Sequence, residues 1–107
     1  MFSVRLARSF ERDAKPLLKK YASIKKELVQ LGETLAENPT LGTSLGQDCY
    51  KIRLAIKSKG KGKSGGARVI TYLISENKEV ILLTIFDKNV KEDLTEKELK
   101  QLLDELE

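Results

Sequence analysis

Two consecutive β-type runs, Ala67–Ser75 and Glu79–Asp87, carry apolar residues on both of their faces. In the first, Val69 and Leu73 alternate with Ile70 and Ile74; in the second, Val80 and Leu82 alternate with Ile81, Leu83 and Ile85. Residues two apart on a strand point the same way, so neither face of this pair can be left to water. The turn-like Glu76-Asn77-Lys78 between them makes an antiparallel hairpin. The rest of the chain therefore has to cover a small sheet on both sides.

The first half supplies one cover. Phe2–Ala7 holds Phe2, Val4 and Leu6 at period two and reads as a short strand. Ser9 is placed to cap a helix whose apolar positions Phe10, Ala14, Leu17, Leu18 and Tyr21 share one face. Pro16 removes an amide donor there, so either the helix bends at Pro16 or its regular part starts near it. A second helix capped by Ser23 carries Ile24, Leu28, Leu31 and Leu35 and should end before Asn38-Pro39. With so few residues between them, the two helices form a hairpin. Thr40–Asp48, with two glycines, reads as a loop. The second cover is a C-terminal helix in which Thr95 and Glu98 form a T-x-x-E capping box ahead of Leu99, Leu102, Leu103 and Leu106. The expected fold is thus α+β: an N-terminal helix hairpin on a small antiparallel sheet of about four strands, the first from the N-terminus, with a C-terminal helix. At 107 residues this is one domain spanning 1–107.

Charge is distributed unevenly. Lys51 to Arg68 contains Lys51, Arg53, Lys57, Lys59, Lys61, Lys63 and Arg68 and no carboxylate, whereas Glu92–Glu107 holds seven acids against Lys97 and Lys100. A formal charge of +4 hides a basic middle that attracts polyanions. The chain has no histidine, hence neither the commonest general base nor the commonest metal ligand. One cysteine, Cys49, excludes an internal disulfide and suits a reducing compartment. The charged start and the lack of a long apolar run point to a cytoplasmic protein without a membrane anchor.

The strand Cys49–Ile56 alternates Tyr50, Ile52, Leu54 and Ile56 with Lys51 and Arg53. Lys51 and Arg53 then share a face, roughly 6–7 Å apart. Antiparallel pairing through the glycine-rich Lys57–Gly66, which reads as a flexible loop, brings Arg68 to the same strand. A row of like charges on a sheet is unfavourable unless something anionic visits it. The bland alternative is that each cation is merely solvated or pairs with Asp48, Asp87 or Glu79. Gly62-Lys63-Ser64 imitates the end of a phosphate-binding loop, but Lys57 stands where that motif needs glycine and a strand follows instead of a helix. Glu92-Asp93 looks like acidic surface, Cys49 like a small half-buried hydrophobe, and the three tyrosines like core residues.

Asp48-Cys49-Tyr50-Lys51-Ile52-Arg53-Leu54, then Gly66-Ala67-Arg68-Val69-Ile70-Thr71-Tyr72 and Leu83-Thr84-Ile85-Phe86-Asp87-Lys88, resemble the RelE/ParE toxin superfamily, particularly its RelE/HigB-like branch. The order of elements resembles the family over most of the chain. The resemblance implies a toxin that cleaves messenger RNA on the ribosome, without metal or cofactor, and a cognate antitoxin that neutralises it. It implies catalytic roles for Lys51, Arg53 and Arg68, with Lys88 after the last strand as a fourth. Several relatives carry an arginine after that strand and a tyrosine soon after; here the stretch reads Lys88 to Thr95, and no tyrosine follows Tyr72.

Such chemistry is feasible without histidine. RNA is cut by its own 2′-hydroxyl when the attack is aligned and the developing charge is stabilised. A lysine crowded by cations loses proton affinity, which gives Lys51 a route to proton transfer. Arg68 would stabilise the phosphorane, Arg53 would orient substrate, and Lys57, Lys59, Lys61, Lys63 and Lys91 would hold RNA or the ribosome electrostatically. The alternatives are a ParE-like gyrase inhibitor without nuclease activity, and a non-catalytic toxin-like domain that binds RNA or the ribosome.

Overall fold

A computed structural model describes residues 1–60 and 65–106. Its elements are β1 (Ser3–Leu6), α1 (Arg8–Lys20), α2 (Ile24–Glu37), β2 (Thr43–Gly46), β3 (Cys49–Leu54), β4 (Ala67–Ile74), β5 (Glu79–Asp87) and α3 (Glu96–Asp104), with 3₁₀ turns at Lys57–Lys59 and Ser75–Asn77. The strands form one sheet in the order β1-β5-β4-β3-β2. The α+β architecture is as expected, but the sheet has five strands and is mixed: β1 runs parallel to β5, while the other neighbours are antiparallel. The additional strand, β2, lies inside the stretch that reads as a loop.

Both faces of β4 and β5 are covered. Val69, Leu73, Val80, Leu82 and Ile85 pack under Phe10, Ala14, Leu17, Ile24, Leu31 and Leu35 of α1 and α2. Ile70, Ile81 and Leu83 pack with Cys49 and Ala7 under Leu99 and Leu102 of α3. The irregularity between Ile70 and Thr71 pairs Ile70 with Thr84 and Thr71 with Leu82, leaving Leu83 as the extra residue of a β-bulge.

Local details depart from the sequence reading where side chains found better partners. Helix α1 starts two residues earlier, with Ala7 as its cap residue, and Ser9 Oγ donates instead to the Leu83 carbonyl at 2.6 Å, tying the helix to β5. It runs unbroken through Pro16, whose side is exposed. Thr95 and Glu98 make the reciprocal capping box at the start of α3. Ser23 occupies the cap position of α2, but its hydroxyl contacts Glu27 and Ser58, and Glu27 Oε2 accepts from the Lys57 N–H at 2.7 Å. The Lys57–Lys59 turn is thereby docked on the start of α2.

Behind that turn sits a buried ion pair. Lys59 Nζ donates to Asp87 Oδ1 at 2.6 Å, Tyr21 OH donates to Asp87 Oδ2 at 2.7 Å, and the Asn89 N–H donates to Asp87 Oδ1 at 2.9 Å. Burial alone would raise the Asp87 carboxyl; the bonds from Lys59, Tyr21 and Asn89 outweigh it and hold it at about 2. Because the folded value is depressed, this stabilisation is present above the unfolded value of about 3.9 and is lost as pH falls toward about 2. Asp87→Ala should destabilise the fold by about 3–5 kcal/mol, since it strands a buried ammonium. Urea denaturation at neutral pH measures that loss, and the variant should show less further loss than the wild type when the pH is lowered to the acid side of 4.

The buried Thr71 hydroxyl has no hydrogen-bond partner among the described residues. Thr71→Val keeps the shape and removes an unsatisfied group, so it should stabilise by about 1 kcal/mol. A destabilised variant in the same denaturation assay would show that the hydroxyl has a partner after all.

Candidate nucleic-acid interface

The alternation of β3 sorts its side chains. Ile52 goes to the face of α1 and α2, Cys49 to the face of α3, so Lys51 and Arg53 stand on the α3 face. On β4, Val69 and Ile70 divide in the same way and Arg68 joins them. The register pairs Arg53 directly with Arg68, and Lys51 with Ile70 two positions along. On its other side Arg68 is paired with Phe86 of β5. The three cations expected to converge are brought to one face.

They are not equally open. Arg53 is exposed, Lys51 is partly so, and Arg68 is only 4% exposed. Arg68 Nη1 donates to its neighbour's carbonyl, Ala67 O, at 3.1 Å. Its burial, and then the charge of Arg53, lower its pKa from the usual arginine value, while Asp93 opposes the shift. Burial fixes this guanidinium while Arg53 remains free to reorient.

Two close backbone approaches frame the row. Gly42 has φ +104°, and a Cβ there would lie 2.4 Å from the Lys51 carbonyl. A Cβ on Gly66 would lie 2.0 Å from the Leu54 carbonyl. Only glycine lets the chain pass so close to β3 at either end. A cleft of about 420 Å³, bordered by Leu41, Gly42, Thr43, Lys51 and Arg53, opens beside the exposed end of the row.

The acidic segment before α3 folds back onto the cations, which the sequence did not disclose. Lys51 Nζ donates to Asp93 Oδ2 at 3.2 Å, and the Leu94 N–H donates to Asp93 Oδ1 at 2.8 Å. The Leu94 N–H and Lys51, with a smaller effect from Arg68, hold the Asp93 carboxyl below the ordinary aspartate value. Lys88 follows β5, with its Nζ 3.5 Å from Glu92. Lys91 lies 5.6 Å over the Phe86 ring and is paired with Glu98. Glu92-Asp93, read as plain acidic surface, therefore contains a residue of the site; a contact across 42 positions leaves no local signal.

The loop lysines divide. Lys57 is exposed, but its turn docks on α2, which covers the opposite face of the sheet. Lys59 does not belong to an electrostatic grip on RNA: its side chain is 7% exposed and is consumed by Asp87. Lys61 and Lys63 lie outside the described residues. Cys49 is wholly buried, not half-buried, and burial followed by the Asp48 charge pushes its thiol up to about 11. Among the described residues no group of three or more Cys, Asp and Glu side chains could hold a metal ion. No helix among them is long and apolar enough to cross a membrane.

Comparison with known families identifies the class of toxin–antitoxin toxins to which this α+β fold belongs. The family described as "RelE toxin of RelE / RelB toxin-antitoxin system" matches residues 4–105, and the chain belongs to the RelE toxin family. The fold is similar to that of the isolated E. coli RelE toxin, with a TM-score of 0.58 and 19% identity over 99% of this chain and 100% of that one. It is similar to a free E. coli RelE carrying two arginine-to-alanine changes, with a TM-score of 0.58 and 18% identity over 98% and 93%. It also matches a chain of the intact E. coli RelBE toxin–antitoxin complex, with a TM-score of 0.52 and 20% identity over 81% and 96%. At such identities the solved structures carry the fold alone.

A row of cations with one weakly held, exposed carboxylate should bind inorganic phosphate. The unfolding temperature should rise with phosphate concentration, relative to chloride at equal ionic strength, as expected for a ligand of the folded state. Lys51→Ala and Arg53→Ala should each remove most of that rise. A rise unchanged in both variants would put the anion elsewhere.

Proposed function

We propose that this chain is a ribosome-dependent endoribonuclease that cleaves messenger RNA by attack of a 2′-hydroxyl on the adjacent phosphate, without a metal. The observation that carries the reading is the Arg53–Arg68 cross-strand pair with Lys51 two residues along the same face. Like charges directly opposite on a sheet are destabilising, and a phosphodiester between them reverses the sign of the interaction. Arg68, fixed by burial, stabilises the pentacoordinate phosphorus; Arg53 orients the strand from the exposed side; Lys51 takes part in proton transfer. Lys88 extends the row beyond β5, while Lys57, Lys91 and the loop residues Lys61 and Lys63 add attraction to the RNA surface of the ribosome. Residues 1–107 act as one toxin domain in the cytoplasm, restrained by a cognate antitoxin, a partnership that the structurally similar E. coli RelBE toxin–antitoxin complex supports.

A second reading is a toxin that occupies the ribosome without cutting. It is favoured by the lack of any tyrosine after Tyr72, which leaves the β5–α3 segment without an aromatic partner for a base.

Primer extension on message after brief expression tests the proposal. Wild type should produce discrete breaks in translated message, and Lys51→Ala or Arg68→Ala should reduce cleavage by about 10²-fold or more while the proteins stay folded. Intact message together with trapped DNA breaks would point to a gyrase-directed toxin. Salt-dependent ribosome binding with intact message would support the non-cutting reading.

A further inference from the structure

In a site made of lysine and arginine, every side chain is a hydrogen-bond donor, yet attack by a 2′-hydroxyl requires an acceptor for its proton. Among the described residues facing the Lys51–Arg53–Arg68 row, the carboxylate in contact with it is Asp93. The direction of the contact is informative: Lys51 Nζ is the donor and Asp93 Oδ2 the acceptor, at 3.2 Å. The second carboxylate oxygen, Oδ1, is held by the Leu94 N–H at 2.8 Å, so the group is oriented from behind by its own backbone. Its side chain is 59% exposed, against 22% for Lys51, so a substrate on the α3 face can reach both.

We propose that Asp93 is the catalytic proton acceptor of this histidine-free site and that Lys51 is its proton donor. This inference rests on the nuclease reading and assigns the two ends of its proton transfer. In the step, an Asp93 oxygen removes the 2′-hydroxyl proton and the 2′-oxygen forms a bond to phosphorus. The bond from phosphorus to the 5′-oxygen breaks, and that oxygen takes a proton from the Lys51 ammonium. The products are a 2′,3′-cyclic phosphate and a free 5′-hydroxyl, and the enzyme is left with a protonated Asp93 and a neutral Lys51. At a separation of 3.2 Å the proton returns directly from the carboxylic acid to the amine, which restores both charges without another group.

The same spacing suits the geometry of the reaction. The attacking and leaving oxygens of an in-line displacement lie on opposite sides of one phosphorus, separated by about the distance between Nζ and Oδ2. An acceptor and a donor side by side along that axis can each reach one oxygen, while Arg68 and Arg53 hold the non-bridging oxygens from the sheet. The charged groups facing Asp93 are Lys51 from β3 and Arg68 from β4, with Arg53 next to Arg68 and Glu92 preceding Asp93 in its own segment. The Leu94 N–H, and then these cations, favour the ionised carboxylate, so the acceptor is ready above its depressed value.

The test compares Asp93→Asn, Asp93→Glu and Lys51→Ala with the wild type on ribosome-bound message, using both a natural RNA and one whose scissile 5′-oxygen is replaced by sulfur. Sulfur leaves without a proton donor. Asp93→Asn should bind RNA as well as or better than wild type, since it loses a negative charge. It should cleave at least 10²-fold more slowly on both substrates, and Asp93→Glu should recover part of the rate. Lys51→Ala should be slow on the natural RNA and restored on the sulfur substrate, with the acid limb of its pH–rate profile moved to higher pH because Asp93 has lost a cation. Asp93→Asn cleaving at or above the wild-type rate would overturn the proposal and make Asp93 a plug that RNA displaces. Restoration of Asp93→Asn by the sulfur substrate would overturn it too, by exchanging the two roles. Wild type that leaves both substrates intact would remove the nuclease reading itself, and the proton assignment with it.

Discussion

Everything at the candidate site follows from the register of β3 against β4. Ile52 pairs with Val69 and is buried beneath α1 and α2, so Arg53 must pair with Arg68 on the face of α3. A slip by one residue would turn Ile52 outward and drive Lys51 and Arg53 under the helices, which no ion pair there could compensate. The hydrophobic effect thus forces two guanidiniums to face one another, a local cost that the core sustains because its own burial depends on the same alternation. The sheet cannot relax the repulsion without surrendering the core. An anion can.

The second requirement is that the chain returns from β3 to β4 at a fixed point, and this falls to Asp87. Its carboxylate gathers the end of α1 through Tyr21, the turn after β3 through Lys59, and the backbone after β5 through Asn89. Lys59 Nζ also reaches the Gly66 carbonyl at 3.4 Å, just before β4 begins. The two ends of the glycine-rich connection are therefore pinned at one buried ion pair, and Arg68, the second residue of β4, lies two residues after that pin.

Much of this was legible in the sequence because the dominant signals were periodic. The two-faced runs at β4 and β5 demanded cover on both sides, the capping box located α3, and alternation along β3 placed Lys51 and Arg53 together. What escaped had no local signature. Thr43–Gly46 is short, polar and glycine-terminated, and becomes a strand only because β3 offers it an edge. The parallel pairing of β1 depends on where α1 returns the chain. Lys59 is compositionally equivalent to Lys57, Lys61 and Lys63, yet a carboxylate 28 residues away draws its side chain into a buried ion pair. Asp93 sits in an acidic tail and owes its role to a lysine 42 residues distant. Charged residues are read poorly from sequence because their partners, unlike those of an apolar stripe, are individual.

The two lysine–aspartate pairs make that individuality functional. They share a chemistry and differ in exposure: Lys59 and Asp87 are 7% and 6% exposed, Lys51 and Asp93 are 22% and 59%. Breaking the buried pair leaves an uncompensated charge in the protein interior, at about 3–5 kcal/mol. Breaking the exposed pair forfeits about 0.2–1 kcal/mol and leaves both groups in contact with water. A phosphate approaching the α3 face can therefore break the hydrogen bond between Lys51 and Asp93 at little cost while the two side chains stay next to each other, and the facing arginines repay it. The same phosphate has no comparable means of drawing Lys59 from Asp87. One pair is closed inside the scaffold and the other is open to an anion from solvent, and the difference lies in the depth at which the sheet sets each lysine.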